Sequence, residues 1–282
     1  MPVLSTYPLW VSHSSINDFV SCPRAYYLKH IYKDPKTKQK INIINPAIAL
    51  GLAVHDTLES LVVPLEQRFV EPLDIKYERM WEKVSGIQGG FRSETEEATY
   101  KTRGAGMIAR VIKNPGPLLN KALKLSTRED SFVPNFLLSK EENIILCGKV
   151  DWMEYLEENN SVHIIDFKTG KNDEKQGSLQ LPIYCLLTKN LQKRNIHKVS
   201  YWYLDKHDTP SEMPMPDLEE EKENILDIAR RMRMVRDIGK FTCSKGECFA
   251  CKPFEAIVRG EATFVRKNDY QDIYVVHPSL SS

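Results

Sequence analysis

The chain has 282 residues, of which 41% are hydrophobic and 27% are charged, values typical of a globular protein and unlike those of disordered, collagen-like or coiled-coil chains. Its 39 Lys and Arg residues against 38 Asp and Glu residues leave a net charge of +1, so any basic surface that meets nucleic acid must be local. No apolar run approaches the roughly 18 residues of a membrane span, and residues 1–15 lack a basic segment followed by an apolar stretch. We therefore expect a cytoplasmic chain with no membrane partner.

A short helix and a basic loop are predicted near the start of the chain. The helix covers 14–22, with Ser12 or Ser14 as its N-cap and Pro23 directly after it. Residues 29–40 then carry five lysines among polar residues, which indicates a basic loop that faces a partner.

A second helix is predicted over 45–63, because an Asn-Pro pair at its start is typical of an N-cap followed by the first helical residue. Its apolar residues recur at helical spacing, and His55 falls among them. We therefore expect His55 to lie on the inward face together with Ile48 and Leu52.

The rest of the chain is predicted to add helices and then strands. Residues 65–125 contain helices and loops without a chemical motif. The predicted strands cover 132–139, 143–154, 161–168 and 198–205, and further helices cover 178–191 and 217–239.

The predicted hairpin formed by 143–154 and 161–168 carries the most informative side chains. Because side chains alternate along a strand, Asp166 and Lys168 lie on the same face, about 6 to 7 Å apart. A turn at 158–159 places Asp151 directly across from Asp166, whereas a turn at 159–160 places it across from Lys168. Both turns keep the three side chains on one face, and a three-residue loop would not.

This arrangement favours a metal site. Two carboxylates so close together among Ile, Leu and Val residues cannot both stay ionised without a counter-charge. Carboxylate oxygens suit Mg²⁺ or Mn²⁺, and an added imidazole favours Mn²⁺. The alternative is a surface hairpin with solvated side chains, since the tripeptide Asp-x-Lys is common.

The cysteines indicate a second metal centre. Cys243, Cys248 and Cys251 form a C-x4-C-x2-C group that supplies three thiolates. A zinc ribbon usually presents two C-x2-C pairs, and this chain has only one. Cys147 and Cys185 lie in apolar segments, so we expect them to be small core residues.

A series of short motifs follows in order along the chain. They are Ser14-x-Ile16-x-x-Phe19-x-x-Cys22-Pro23 with Tyr26-Tyr27, Gly51-x-x-x-His55, Gly148-x-x-Asp151, Asp166-x-Lys168-Thr169-Gly170, Gln180-x-x-x-Tyr184 and the terminal cysteine group. Together these motifs, over residues 12–251, resemble the PD-(D/E)xK nuclease superfamily. They are most similar to the RecB-like exonucleases that carry an iron–sulfur cluster, which include the AddB nuclease domain and the CRISPR-associated adaptation nucleases.

The resemblance implies a fold and a set of site residues. The fold would be α/β and restriction-endonuclease-like, a central mixed sheet flanked by helices in a single domain over 1–282. Residues 65–125 would be a helical insertion and residues 240–282 a C-terminal cysteine-bearing lobe. The catalytic residues would be Asp151, Asp166 and Lys168, and the ligands of the divalent cation would be His55, Asp151, Asp166 and the backbone carbonyl of Phe167.

Further roles are implied outside the hairpin. Gln180 and Tyr184, one turn apart on a helix, would support the site and contact the DNA backbone. In the resembled family one cysteine before the nuclease core and three after it bind a [4Fe-4S] cluster, and Cys22 is the matching N-terminal residue. The order of the C-terminal cysteines departs from the family pattern, because the third cysteine precedes the C-x2-C pair, so zinc stays open as the alternative.

The predicted function is therefore metal-dependent hydrolysis of DNA, as a single-strand exonuclease in repair, recombination or CRISPR adaptation, with a helicase or an adaptation protein as partner. One alternative is a non-catalytic iron–sulfur module that binds DNA or assembles with a partner enzyme. An electron-transfer iron–sulfur protein is a third alternative, but no flavin or nicotinamide motif accompanies the cysteines.

Overall fold

The described chain contains both helices and strands, and the strands lie in three mixed sheets flanked by helices. The computed structural model of the chain describes residues 7–127 and 131–276. The helices are α1 (His13–Ser21), α2 (Pro23–Tyr26), α3 (Pro46–Glu59), α4 (Leu65–Arg68), α5 (Leu73–Glu82), α6 (Glu94–Lys113), α7 (Gln180–Leu191), α8 (Leu218–Ile238) and α9 (Lys252–Val258). The strands are β1 (Leu9–Val11), β2 (Lys40–Ile43), β3 (Asn135–Ser139), β4 (Ile144–Cys147), β5 (Trp152–Leu156), β6 (Ser161–Lys168), β7 (Asn195–Tyr203), β8 (Ser211–Met213), β9 (Thr263–Lys267) and β10 (Gln271–Val275). The predicted α/β fold is thereby confirmed.

A four-stranded sheet of order β5-β6-β7-β8 separates the two largest cores. Strands β6 and β7 are parallel and are joined through α7, while β5 and β8 are antiparallel to their neighbours. Because side chains alternate, Ile164 packs on one face with α7 and α8, and Ile165 and Phe167 pack on the other with α3, α5 and α6. By the same alternation, Asp166 and Lys168 share the face of Ile164.

The hairpin of β5 and β6 has the register of the first predicted alternative. Trp152 pairs with Ile165 and Leu156 with Ser161, so the next position along β6 brings Asp166 opposite Asp151. The predicted two-residue turn was wrong, however. The loop has four residues, a helical turn over Glu157–Asn159 followed by Asn160 in the left-handed region at φ 50°. Because a four-residue loop, like a two-residue turn, has an even number of residues, Asp151 and Asp166 still lie on the same face of the sheet.

The strand predicted over 143–154 is two strands in different sheets. Strand β4 pairs with β1 and β3, whereas β5 pairs with β6, and the chain changes sheets between Gly148 and Asp151. A Cβ atom at Gly148 would lie only 3.0 Å from Leu187 of α7, so a glycine suits this close passage. The break releases Asp151 from the strand ladder, and its side chain turns toward the site.

Helix α3 buries a different face from the predicted one. Its buried residues are Ala49, Leu50, Ala53, Val54, Thr57 and Leu58. Ile48 and Leu52, predicted to point inward, are 41% and 42% exposed. Small residues on the buried face let α3 pack closely against α5 and α6, and this packing places His55 at the edge of the buried face, with its side chain 27% exposed.

Smaller differences concern element ends. Helical structure continues from α2 through Tyr27–Ile31, so the predicted basic loop begins at residue 32 and ends where β2 starts. Strand β3 begins at Asn135, three residues later than predicted, and Ser12 is the N-cap of α1. Over the described ranges, no helix has the length and apolar composition needed to cross a bilayer.

Candidate active site

The end of β6 presents a buried acid and a lysine to α7. Asp166 is almost completely buried, and its Oδ2 lies 2.9 Å from Nζ of Lys168. The same Nζ lies 2.8 Å from Oε2 of Glu174, in the loop after β6. Burial lowers the pKa of Lys168, but the two carboxylates outweigh burial, so the pKa lies above its usual value. Lys168 is therefore a fixed cation at neutral pH.

Asp151 enters the site from the break between β4 and β5. Its Oδ2 accepts a hydrogen bond from the backbone N–H of Phe167 at 3.0 Å and lies 3.3 Å from Nδ1 of His55. Burial raises the pKa of Asp151 well above its usual value, and the charge of nearby Asp166 raises it further. Two buried carboxylates side by side form a site that a cation would stabilise.

His55 reaches the site from the opposite core, on α3. Burial lowers the pKa of His55, although Asp166 and Glu59 act in the other direction. The imidazole is therefore neutral at pH 7, which is the protonation state that binds a metal.

Gln180 and Tyr184 lie on one face of α7, as the sequence predicts. The side chain of Gln180 donates from Nε2 to Oδ1 of Asp166 at 2.6 Å and accepts at Oε1 from Lys168. Nε2 of Gln180 also lies 3.2 Å from the hydroxyl of Tyr184. Burial raises the pKa of Tyr184, so this hydroxyl stays protonated. Gln180 thus fixes the positions of both Asp166 and Lys168.

Two acidic residues that the sequence analysis did not select also lie at the site. Glu59 follows His55 by one turn of α3, and the ligand atoms of His55, Glu59 and Asp151 all lie within 4.8 Å of one another. The carboxylate of Glu59 pairs with Lys149. A His-x-x-x-Glu pattern at i, i+4 is the signal that could have found Glu59. Glu174 carries no such signal, because it lies in an irregular loop.

Four cysteines converge at a second centre, as expected. Cys22 lies between α1 and α2, and its sulfur and those of Cys243, Cys248 and Cys251 all lie within 4.8 Å of one another, with no disulfide between them. Burial raises the pKa of Cys248, but backbone hydrogen bonds from Cys251 and Ala250 and the neighbouring thiols outweigh it and lower the pKa to about 7. Four sulfur ligands of this kind fit zinc or an iron–sulfur cluster.

The two remaining cysteines lie apart from this centre. Cys185 is fully buried in the core around α7, and Cys147 is half-buried and contacts the carbonyl of Val11. Burial raises the pKa of Cys185 to about 12 and that of Cys147 to about 11, so both are protonated thiols. The position of Cys185 agrees with the expectation of a small core residue, whereas Cys147, half-buried at the end of β4, differs from it.

Comparison with known proteins agrees with this geometry. A family model described as the PD-(D/E)XK nuclease superfamily matches residues 10–254. One subunit of the ATP-dependent helicase/deoxyribonuclease of Clostridium botulinum is 24% identical over 264 residues, which cover 82% of this chain and 22% of the relative. The proteins of strains Hall, Langeland and Okra give the same values. The chain therefore spans about a fifth of the length of these curated relatives.

Proposed function

Because the chain belongs to the PD-(D/E)XK nuclease superfamily, we propose that it is a metal-dependent deoxyribonuclease that hydrolyses phosphodiester bonds of single-stranded DNA. The observation that carries this proposal is the pair of buried carboxylates, Asp151 and Asp166, with Lys168 beside them. A protein that only binds DNA has no need of such a group.

The proposed ligands of the catalytic cation are His55, Asp151, Asp166 and the backbone carbonyl of Phe167. The raised pKa of Asp151 supports this assignment, because burial disfavours both carboxylates unless a positive charge joins them. Glu59 is added to the set, since its carboxylate lies beside His55 and Asp151. Oxygen ligands with one imidazole suit Mg²⁺ or Mn²⁺.

The chain's own residues divide the chemical work. A divalent cation, when bound, withdraws charge from the phosphodiester and lowers the pKa of a water ligand. Lys168 acts as a cation that positions the attacking water and stabilises the negative charge that develops on the phosphate oxygens. Asp166 and Glu174 raise the pKa of Lys168, so it is a cation in the site without a bound metal, which supports this role. Gln180 holds Lys168 and Asp166 in place, and Tyr184 holds Gln180.

We further propose that Cys22, Cys243, Cys248 and Cys251 bind a [4Fe-4S] cluster, with zinc as the alternative. The convergence of the four sulfurs supports either metal. The named activity of the relatives, a helicase joined to a deoxyribonuclease, supports a helicase partner in repair or recombination over a role in CRISPR adaptation.

A cleavage assay tests the nuclease proposal. Purified protein is mixed with single- and double-stranded DNA, labelled at either end, in Mg²⁺, Mn²⁺ or EDTA. We expect release of short products from single strands with either metal and none in EDTA. The Asp166→Asn variant, prepared in parallel, controls for contaminating nucleases. Binding without cleavage by the folded wild type would instead favour the non-catalytic module.

A further inference from the structure

A cavity of about 250 Å³ opens directly beside the proposed metal ligands. Asp151 and Glu59 form part of its lining, and the adjoining walls are apolar, with Leu123, Leu125 and Met153 among them. None of the catalytic roles described above uses these apolar walls. The apolar recess next to the proposed metal ligands is thus a candidate for a further ligand.

An exposed aromatic ring stands at the edge of this cavity. Phe132 belongs to the cavity lining, yet its side chain is 93% exposed. The ring of Tyr270, in the turn between β9 and β10 and 60% exposed, lies 6.3 Å from that of Phe132. In proteins that bind single strands, exposed aromatic rings serve as surfaces on which bases stack.

Charged groups of the lining match a nucleic-acid strand. Lys124 and Lys149 are exposed lysines of the same cavity. Lys124 offers a cation to a phosphate near the rim, whereas Lys149 is paired with Glu59, and the interior remains apolar enough for a base. The volume is smaller than the about 300–1,000 Å³ of pockets for drug-sized ligands, so the cavity accommodates one nucleoside and not a run of several.

Given the deoxyribonuclease function proposed above, we infer that this cavity receives the terminal nucleoside of a DNA single strand, with its base stacked on Phe132. The next phosphate along the strand would then lie at Asp151, where it is cut. A recess that takes one nucleoside beside the cleavage site selects strand ends, so the enzyme acts as an exonuclease. Double-stranded ends are disfavoured because a paired base cannot enter the recess.

Fluorescence of 2-aminopurine placed at either end or in the middle of a strand tests this inference. Binding is measured in the Lys168→Met background so that the DNA stays intact. We expect a change in emission for one terminal position, and the Phe132→Ala variant should abolish it. Tyr7→Ala, which removes a 79% exposed ring outside the cavity, is the matched control and should behave as the parent.

Affinity provides the second measurement. Loss of one stacked base should weaken binding of a linear strand about tenfold in Phe132→Ala. A closed circular strand of the same sequence has no end, so its affinity should be unchanged. Equal affinities of parent and Phe132→Ala for the linear strand, or equal emission changes at terminal and internal positions, would overturn the inference. If the wild type cleaves DNA, the nuclease proposal stands whatever the Phe132→Ala variant shows. If the end-specific signal is seen but the wild type does not cleave, the nuclease proposal fails and the inference about the cavity stands.

Discussion

Lys168 is held by three neighbours at once. Asp166 and Glu174 lie within 3 Å of its Nζ, and Gln180 accepts a hydrogen bond from it. The ring of Tyr201 lies 4.9 Å away, close enough for a further cation–π attraction. The ammonium is thus positioned and charged in the free protein, and a phosphate of the proposed DNA substrate would have to compete with Glu174 for it.

Replacing this cation gives the first prediction. Lys168→Met should reduce the rate of DNA cleavage by about a hundredfold or more, because the developing negative charge loses its fixed cation. Single-turnover cleavage with saturating enzyme measures the effect. Lys171→Met, in the exposed segment just after β6, is the control and should cleave at the wild-type rate. A Lys168→Met variant that is folded and fully active would contradict the assigned role.

Glu59 gives a second prediction at the same scale, with a readout that does not depend on cleavage. Glu59→Gln should weaken Mn²⁺ binding about tenfold, since one charged ligand beside His55 and Asp151 is lost. Isothermal titration of metal into DNA-free protein measures this affinity. Glu66→Gln changes an exposed acid in α4 and should have no effect. If the two variants bind Mn²⁺ equally well, Glu59 is only a partner of Lys149.

At the scale of elements, a network of hydrogen-bonded polar side chains joins three strands to the segment after α6. Nδ1 of His163 lies 2.7 Å from Oε2 of Glu154, its Nε2 lies 2.7 Å from Oγ of Ser200, and Asn120 donates to Oε1 of Glu154 at 2.6 Å. This network crosses β5, β6 and β7 away from the proposed metal ligands. Each member is satisfied by the others, as buried polar groups require.

His163 in this network predicts how the stability of the protein depends on pH. Burial lowers the pKa of His163, and the interaction with Glu154 only partly opposes it, so the unfolded chain binds a proton first as pH falls below about 6.5. The free energy of unfolding should therefore decrease between pH 7.5 and pH 5.5. Urea unfolding at the two pH values measures the loss, and the loss should be smaller in His163→Gln. An identical loss in both proteins would assign it to other groups.

The four-cysteine centre joins the α1–α2 junction to the segment before α9. Cys22 packs with Leu28, Cys251 and Phe254 in a small core of its own, next to the sheet of order β2-β10-β9. A metal held there would fasten the first helices to the C-terminal part of the chain.

Iron content provides the corresponding prediction. Cys22→Ser should lose iron as completely as Cys248→Ser, because a cluster with a missing thiolate is unstable, although the two residues are far apart in sequence. Anaerobic purification followed by iron, sulfide and zinc analysis measures this. Cys147→Ser is the matched control and should keep the metal. Full iron in Cys22→Ser would require another fourth ligand, and one equivalent of zinc would favour the zinc site.

For the whole molecule, the net charge of +1 means that the proposed DNA substrate would have to be held by local basic surface. Lys33, Lys36 and Lys38 are exposed in the loop before β2. The hydroxyl of Thr37 donates to Asp272 of β10 at 2.5 Å, so the loop is anchored to the same lobe as the cysteine centre. The proposed path of bound DNA runs from the candidate active site to these lysines.

Salt dependence tests this path. Neutralising Lys33, Lys36 and Lys38 to Gln should weaken DNA binding at low salt and flatten the slope of log affinity against log salt, by about 0.7 units for each lost phosphate contact with a single strand. The triple Lys→Arg variant keeps the charges and should retain the slope. Metal affinity should be unchanged in both. An unchanged slope in the Gln variant would move the DNA path to residues 189–198, a second basic segment with Lys189, Lys193, Arg194 and Lys198.

Several features of the protein follow from the sequence alone. The same-face placement of Asp166 and Lys168 follows from the alternation of side chains along any strand, and that of Gln180 and Tyr184 follows from the helical turn. Helix ends are predictable from local chemistry as well. The side chain of Asn45 accepts from the N–H of Ile48, and Asp217 and Gly239 cap α8, as these residue types do in most helices.

Tertiary structure decided the rest. The buried face of α3, the change of sheets between Gly148 and Asp151, and the arrival of Glu59 and Glu174 at the site all depend on contacts between distant segments. Hydrophobic periodicity shows that a segment has a buried side, but Ile48 and Leu52 are as apolar as the residues that α3 buries. The packing of α5 and α6 against α3 decides which of its apolar residues become buried. The spacing of residues within one helix carries no information about that packing.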